Sequence, residues 1–347
     1  MRIVMSMVAI LATISSVPAQ EAQPQWKKQA SFNAGPYGHS VLALSSDGKL
    51  LAAAAFEGPL KLWDAQTGKL RATIGQGKVK VLAARFAADG KTLTVVTHTG
   101  DVVIWDLMAN KQQKTVRLGR LNLIAAALSA NGKMLCTTAN DPRATQSGRG
   151  CPIQLWSVET GKPGKALSGH LYAAFELAFS ADGKTLMSAG SRARTAADPQ
   201  DAPISVTYVP EVKLWDLASG SATARQLAGI NYSFSADNKQ IALTRQDQRS
   251  LKIMLEVWDT GANKNLLSTP AANDIIMSIA LSPDGKVLAT GGHSKQVRIY
   301  DAEQGKQLAA LAGHQSEIMK VAFSADGTYL ASSDFKGAIC IWTTTSR

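Results

Sequence analysis

The sequence is poor in the residues that build disulfides, redox centres and nucleophilic active sites. Only 3 of its 347 residues are cysteines. That count is odd, and the positions of Cys136, Cys151 and Cys340 in the repeats described below leave no pair in register for a bridge, so we expect no disulfide. Cys-x-x-Cys, Gly-x-Ser-x-Gly and a phosphate-binding glycine loop are all missing. These absences argue against the commonest redox, hydrolytic and nucleotide-dependent chemistries.

Metal ligands and stacking aromatics are also scarce. The 5 histidines occur in separate parts of the chain and none forms a His-x-x-x-His pair. We therefore expect no metal and no cofactor. Aromatic residues make up 6% of the sequence, and no concentrated basic stripe accompanies them, so nucleic acid is not an expected partner.

No hydrophobic run is long enough to span a bilayer comfortably, which takes about 20 residues. The apolar stretch 3–14 follows Arg2, and Val17-Pro18-Ala19 matches the small-x-small pattern of signal-peptide cleavage. We predict a signal peptide over residues 1–19, a short linker over 20–27 and one domain over 28–347. The domain is then periplasmic or extracellular, with no transmembrane segment after signal removal; an uncleaved anchor is the alternative.

Two short motifs recur seven times in strict alternation. The first is an Asp-Gly-Lys turn or a close variant, in which Gly or Asn supplies the positive φ of a tight hairpin. Its central residues are Gly48, Gly90, Gly132, Gly183, Asn238, Gly285 and Gly327. The second is an aromatic residue followed by a short polar one. These aromatics are Trp63, Trp105, Trp156, Trp215, Trp258, Tyr300 and Trp342.

Each motif is flanked by short apolar or alternating runs that are typical of β-strands. Four such strands repeat every 42 residues in the regular part of the chain, as from Trp63 to Trp105. This spacing predicts an all-β, seven-bladed β-propeller of four-stranded antiparallel blades. A monomeric ring is expected.

From about residue 26 the chain resembles the WD40-repeat family, and we expect an exported propeller of the bacterial type. The family's Gly-His signature occurs three times, at Gly38-His39, Gly169-His170 and Gly313-His314. The resemblance implies that residues 28–34 form the missing outer strand of blade seven and close the ring. It also implies a His, Ser/Thr, Asp and Trp tetrad in each blade. With the Asp expected six residues before the aromatic, most blades lack a complete tetrad.

The repeat is irregular in three consecutive blades. The interval from the turn residue to the aromatic is 15 residues in four blades, but 24, 32 and 20 in blades three, four and five. The extra residues fall between second and third strands, on the face that also carries the links between blades. Loops on a rigid scaffold commonly bind partners.

The inserted residues contain six arginines that we identify as a candidate anion-recognising patch, since guanidinium suits carboxylate and phosphate. They are Arg143, Arg149, Arg192, Arg194, Arg245 and Arg249. Solvated loops that simply carry arginine are the alternative, because nearby aspartates offset part of the charge. Much of the formal net charge of +11 comes instead from lysines that recur in the turns.

These patterns predict a non-catalytic protein-interaction scaffold that binds a protein, a peptide or another acidic partner over blades three to five. The alternative is a metal-assisted hydrolase or another propeller enzyme that uses the central channel. For that alternative the inner strands offer few acids and amides, against the bases Arg85 and Lys320. The sequence does not identify the partner.

Overall fold

The computed structural model describes residues 25–344, apart from 36–37, 76, 120, 142, 144–145, 148–149, 194–207, 226, 228, 248–249 and 272–273. Of residues 192–193 and 208–209 it describes the backbone alone. The predicted signal peptide, 1–19, lies outside the described residues. Within the described part, no helix has the length and hydrophobicity needed to cross a bilayer.

Seven four-stranded antiparallel sheets form the blades of a β-propeller, which confirms the predicted fold. Blade one contains β2 (His39–Leu44), β3 (Leu50–Ala55), β4 (Leu60–Asp64) and β5 (Leu70–Ile74). Blade two contains β6 (Val81–Phe86), β7 (Thr92–Thr97), β8 (Asp101–Asp106) and β9 (Lys111–Arg117). Blade three contains β10 (Leu123–Leu128), β11 (Met134–Ala139), β12 (Ile153–Ser157) and β13 (Pro163–Leu167).

The second half of the ring follows the same order. Blade four contains β14 (Glu176–Phe179), β15 (Thr185–Ala193), β16 (Tyr208–Asp216) and β17 (Ala222–Arg225). Blade five contains β18 (Tyr232–Phe234), β19 (Gln240–Gln246), β20 (Ile253–Asp259) and β21 (Lys264–Pro270). Blade six contains β22 (Ile276–Leu281), β23 (Val287–Gly292), β24 (Gln296–Asp301) and β25 (Gln307–Ala312).

The N-terminal strand closes the ring. Blade seven contains β26 (Ile318–Phe323), β27 (Tyr329–Asp334) and β28 (Ala338–Thr344), and β1 (Trp26–Asn33) adds its outer strand. The ladder pairs Trp26 with Thr344 at one end and Asn33 with Ala338 at the other. The predicted closure is confirmed, with the strand beginning two residues before the expected position 28. Closure leaves only the short edges of each blade exposed.

The seven recurring turns have the predicted backbone. Every central glycine has a positive φ between 65° and 74°, and Asn238 takes the same conformation at 57°. An aspartate, or Asn131 in blade three, holds each turn of this type together: in blade one, Asp47 Oδ1 accepts the Ser45 hydroxyl at 2.6 Å and the Lys49 amide at 3.1 Å. Such side-chain bonds specify the tight hairpin locally.

The core lies between neighbouring blades, where the faces of two sheets meet. In one apolar cluster, Leu60 and Leu62 of blade one pack with Leu93 and Val95 of blade two. Another joins Leu51 and Ala53 of blade one to Ile339 of blade seven across the closure. Because both faces of every sheet are buried in this way, the wheel is rigid and its loops are the parts free to vary.

Candidate functional site

The links between blades and the loops between second and third strands lie on one face of the wheel, which we call the loop face. The strand one–two and three–four turns lie on the opposite face, the turn face. The longest insertion, in blade four, begins as a β-ribbon on the loop face. Strands β15 and β16 are nine residues each, and their ladder continues to the pairs Arg192 with Val209 and Ala193 with Tyr208. The ladder therefore reaches residues 193 and 208, and residues 194–207 between them lie outside the described residues.

The structure describes three of the six predicted arginines, one of them by its backbone alone. Arg143 is exposed in the blade-three loop, where its amide donates to Asp141 Oδ1 at 3.0 Å. Arg192 lies in the blade-four ribbon. Arg149, Arg194 and Arg249 lie outside the described residues, so the patch itself stays a prediction.

Arg245 lies in β19 and not in a loop. Its Nε and Nη2 donate to Oε1 of Glu256 at 3.0 and 2.7 Å, and Glu256 is almost fully buried. The other carboxylate oxygen accepts the indole N–H of Trp258 at 2.9 Å. Within this structure the charge of Arg245 is therefore neutralised inside blade five, and its guanidinium is committed to that carboxylate.

Sequence inspection missed an apolar collar around the mouth of the channel on the loop face. Its members each lie eight residues before the central turn residue. Five blades have this position as the second residue of the inner strand, whereas Phe175 lies one residue and Ile230 two residues before it. In blades one, two, three, six and seven this position is a β-bulge, skipped by the ladder to the second strand. The collar consists of Leu82, Ile124, Phe175, Ile230, Met277 and Met319, with Ser40 as the polar seventh position.

In those five blades the bulge turns the side chain away from the packed faces of the sheets, and in blades four and five the residue stands before the strand begins. The exposed fraction is 40% for Ile124, 47% for Phe175 and 61% for Ile230, which stand in blades three, four and five. Leu251, in the blade-five loop, is 70% exposed. These four residues give the irregular sector an apolar surface of its own.

The distribution of exposed apolar side chains is strongly one-sided. Among the described residues, eleven large hydrophobics are exposed, and eight of them lie on the loop face. They are Phe56, Ile124, Phe175, Ile230, Leu251, Ile275, Met277 and Phe335. The other three lie on the turn face or an outer strand. Scattered exposed hydrophobics need no explanation, but concentration on one face is typical of a binding surface.

The expected position of the tetrad acid was wrong. In blade seven the acid is Asp334, eight residues before Trp342. His314 joins Asp334 Oδ2 at 3.2 Å and Ser332 Oγ at 2.7 Å, and the Trp342 indole donates to the same Oγ at 2.8 Å. Blade seven therefore has a complete tetrad, where counting back six residues gave Lys336.

Blade four has an equivalent network in which glutamate replaces aspartate. His170 joins Glu211 Oε1 at 3.0 Å and Ser188 Oγ at 2.8 Å, and the Trp215 indole donates to Ser188 Oγ at 2.8 Å. Burial acts to raise the pKa of Glu211, but the His170 hydrogen bond and the charge of Lys213 outweigh it and lower the pKa overall. The offset failed because the strand register, not a fixed count, places the acid opposite the histidine.

The described histidines are arranged as parts of the fold and not as a set of metal ligands. His39, His170 and His314 are buried within the blades, and the amide of Lys80 donates to His98 at 3.2 Å. Within the described ranges, no three His, Cys, Asp or Glu side chains come close enough to hold a metal ion. All three cysteines are buried and none is in a disulfide within that part of the chain.

Three partial comparisons match the chain to known proteins. A family model described as the anaphase-promoting complex subunit 4 WD40 domain matches residues 233–326. The nuclear distribution protein nudF of Aspergillus niger is 26% identical over 159 residues, which is 44% of this chain and 31% of that protein. A periodic tryptophan protein 2 homolog of Neurospora crassa is 27% identical over 171 residues, which is 43% of this chain and 17% of that protein.

The matched segments thus span less than a third of either curated relative's length. Their shared feature is the WD repeat. That feature also accounts for the seven alternating motifs, the four-stranded blades and the two His-Ser-Trp networks of this structure. The repeats of this structure and the partial matches together support a WD40-repeat family for the chain.

Proposed function

We propose that this protein is a non-catalytic interaction scaffold outside the cytoplasm, whose partner binds the loop face over blades three to five. The observation that carries the proposal is the exposure of Ile124, Phe175, Ile230 and Leu251 on the sector that also carries the inserted loops. Burying one such side chain contributes about 1.5–3 kcal/mol to binding. A few of them supply the apolar centre of an interface.

The backbone of Leu251 supports the same surface. Its φ is 56°, in the left-handed region that a branched side chain rarely adopts, and its side chain is exposed rather than packed. The fold gains little from a leucine at this position. A strained and exposed apolar residue is more easily explained by contact with a partner than by stability.

The partner we propose is a protein or peptide with apolar anchor residues and flanking acidic groups. The acidic part of the proposal rests on the inserted segments. They carry five arginines besides the paired Arg245, against the aspartates Asp141, Asp198, Asp201 and Asp247; the five are Arg143, Arg149, Arg192, Arg194 and Arg249. The export part rests on residues 1–19, whose pattern is that of a signal peptide.

The test is affinity capture from a cell-envelope extract, followed by binding measurements with the captured partner. The double variant Ile230→Ser with Leu251→Ser is compared with Met108→Ser, which removes an apolar side chain 85% exposed in the β8–β9 turn on the turn face. We expect the double variant to bind at least tenfold more weakly and the control to bind as the native chain does. Equal loss in both would show that general surface hydrophobicity, and not the loop face, retains the partner.

A second variant tests the blade-four loop. Because Ala193 pairs with Tyr208, residues 194–207 can be replaced by Asn-Gly, a two-residue hairpin turn. The ribbon and the blade should then fold normally. If capture survives this replacement, the partner contacts the collar and not the loop; if both variants retain capture, the proposed surface is wrong.

A further inference from the structure

The central channel contains a cavity with two basic side chains. Inner-strand residues of five blades enclose about 260 Å³, far more than the roughly 10–15 Å³ that one water molecule requires. Arg85 on β6 and Lys320 on β26 both line this cavity. They belong to blades two and seven, which stand on either side of blade one, and Ser40 of blade one also lines the cavity.

Arg85 has no protein partner for its charge. Among the described residues, no acceptor lies within hydrogen-bonding distance of its guanidinium, and neither Arg85 nor Lys320 takes part in an ion pair. Burial lowers the pKa of Arg85, and no neighbouring carboxylate opposes that effect. A guanidinium stays protonated in proteins, so the channel holds an uncompensated cation.

A carboxylate that senses Lys320 is a weak counter-ion. Glu176 on β14 feels the charge of Lys320, but burial raises the pKa of Glu176 above its usual value. Its negative charge is therefore less available at neutral pH than that of an ordinary glutamate. The channel retains a net positive charge.

Two other part-buried cations among the described residues are paired with carboxylates, unlike Arg85. Arg298 contacts Asp274 at 2.7 Å, and Lys213 contacts Glu211 at 3.3 Å. Buried charges are otherwise costly unless they are paired and hydrogen-bonded. Arg85 is part-buried and faces the cavity without a protein counter-ion among the described residues, so an anion bound there would neutralise its charge.

We propose that the channel binds an oxyanion, a carboxylate or a phosphate, between the guanidinium of Arg85 and the ammonium of Lys320. The planar guanidinium matches two oxygens of either group, and the ammonium adds a second charge. Every inner strand is also the edge strand of its sheet, so its channel-side amides can supply further donors. The site is separate from the loop-face surface and does not depend on the proposed partner.

The bound carboxylate or phosphate could come from two sources: a free small anion, or an acidic group of a bound protein that enters the channel mouth. Isothermal titration calorimetry distinguishes the two sources. It uses three probes at constant ionic strength in sodium chloride: inorganic phosphate, citrate and the tripeptide Glu-Glu-Glu. The native chain should bind at least one probe saturably with one site. Binding of phosphate or citrate indicates a free anion, and binding of the tripeptide alone indicates an acidic group from a partner.

Arg85→Met and Lys320→Met should each weaken that binding at least tenfold. Arg71→Met is the matched control, because Arg71 is an exposed arginine on the outer strand β5. Arg85→Met should also raise the thermal midpoint in chloride buffer, since it removes an uncompensated buried charge; this readout shows that the variant folds. The proposal is overturned if no probe binds the native chain saturably, or if Arg85→Met binds the probe as tightly as the native chain.

Discussion

His39 should make the protein less stable in mild acid. It is the first residue of β2 and is 4% exposed, and its Nδ1 has no hydrogen-bond partner among the described residues. The pKa of His39 is lowered from 6.5 to about 4, mainly by burial and also by the charge of Lys61, while Asp334 opposes the shift. Unlike His170 and His314, this histidine has no acid in hydrogen-bonding contact to favour its charged form.

The size of the effect follows from proton linkage. The unfolded chain binds a proton at His39 near pH 6.5, whereas the folded chain does so only near pH 4. The free energy of unfolding is therefore unaffected by His39 above about pH 6.5 and falls as the pH drops from there to 4. At about 1.4 kcal/mol for each pH unit, the loss by pH 4 is roughly 3 kcal/mol.

Urea unfolding of the native chain and of His39→Leu at pH 7.5, 5.5 and 4.0 measures this loss. The native chain should lose about 3 kcal/mol more than the variant between pH 7.5 and 4.0, with unchanged dependence on urea. His293→Gln, which replaces an exposed histidine on the same face, should behave as the native chain does. If His39→Leu shows the native pH dependence, the burial of a neutral His39 is not what limits stability in acid.

Two further predictions concern single side chains. Trp215→Phe should cost about 1 kcal/mol more of unfolding free energy than Trp105→Phe. Of these two indoles, only that of Trp215 donates a hydrogen bond within the described structure, to Ser188. Equal costs in chemical denaturation would contradict this. Leu251→Asn should raise the unfolding free energy by about 1 kcal/mol, because asparagine tolerates a φ of 56° better than leucine; a lower thermal midpoint would contradict it.

The number of blades, their strands and the closure of the ring were predictable because each depends on a local pattern repeated seven times. The turn at Gly48 specifies its own hairpin through φ and through the side chain of Asp47. Repetition then fixes the pairing of strands without any knowledge of distant contacts. A single copy of the motif would not have sufficed.

The collar and the tetrads were not predicted, for a different reason in each case. Ile124 occupies an apolar position of a strand, and the sequence alone does not show that a bulge turns it to solvent; Phe175 stands just before its strand and is exposed without a bulge. The eight-residue spacing to the turn would have located them. Asp334 and Glu211 lie at different distances from their tryptophans, because the length of the second and third strands sets which residue faces the histidine.

Buried polar networks lie at the base of two of the three inserted segments, besides those in the regular blades six and seven. In blade four, Glu211 pairs with Gly190 at the base of the ribbon that carries residues 194–207, and His170 ties it to the inner part of the sheet. In blade five, the Arg245–Glu256 fork lies at the base of the loop that presents Leu251. A hairpin that extends beyond its neighbours loses their packing, so directional hydrogen bonds must fix its angle instead. The irregular sector is therefore both the most decorated part of the ring and a part anchored by buried charge. That combination is what a surface needs to meet a partner in one geometry.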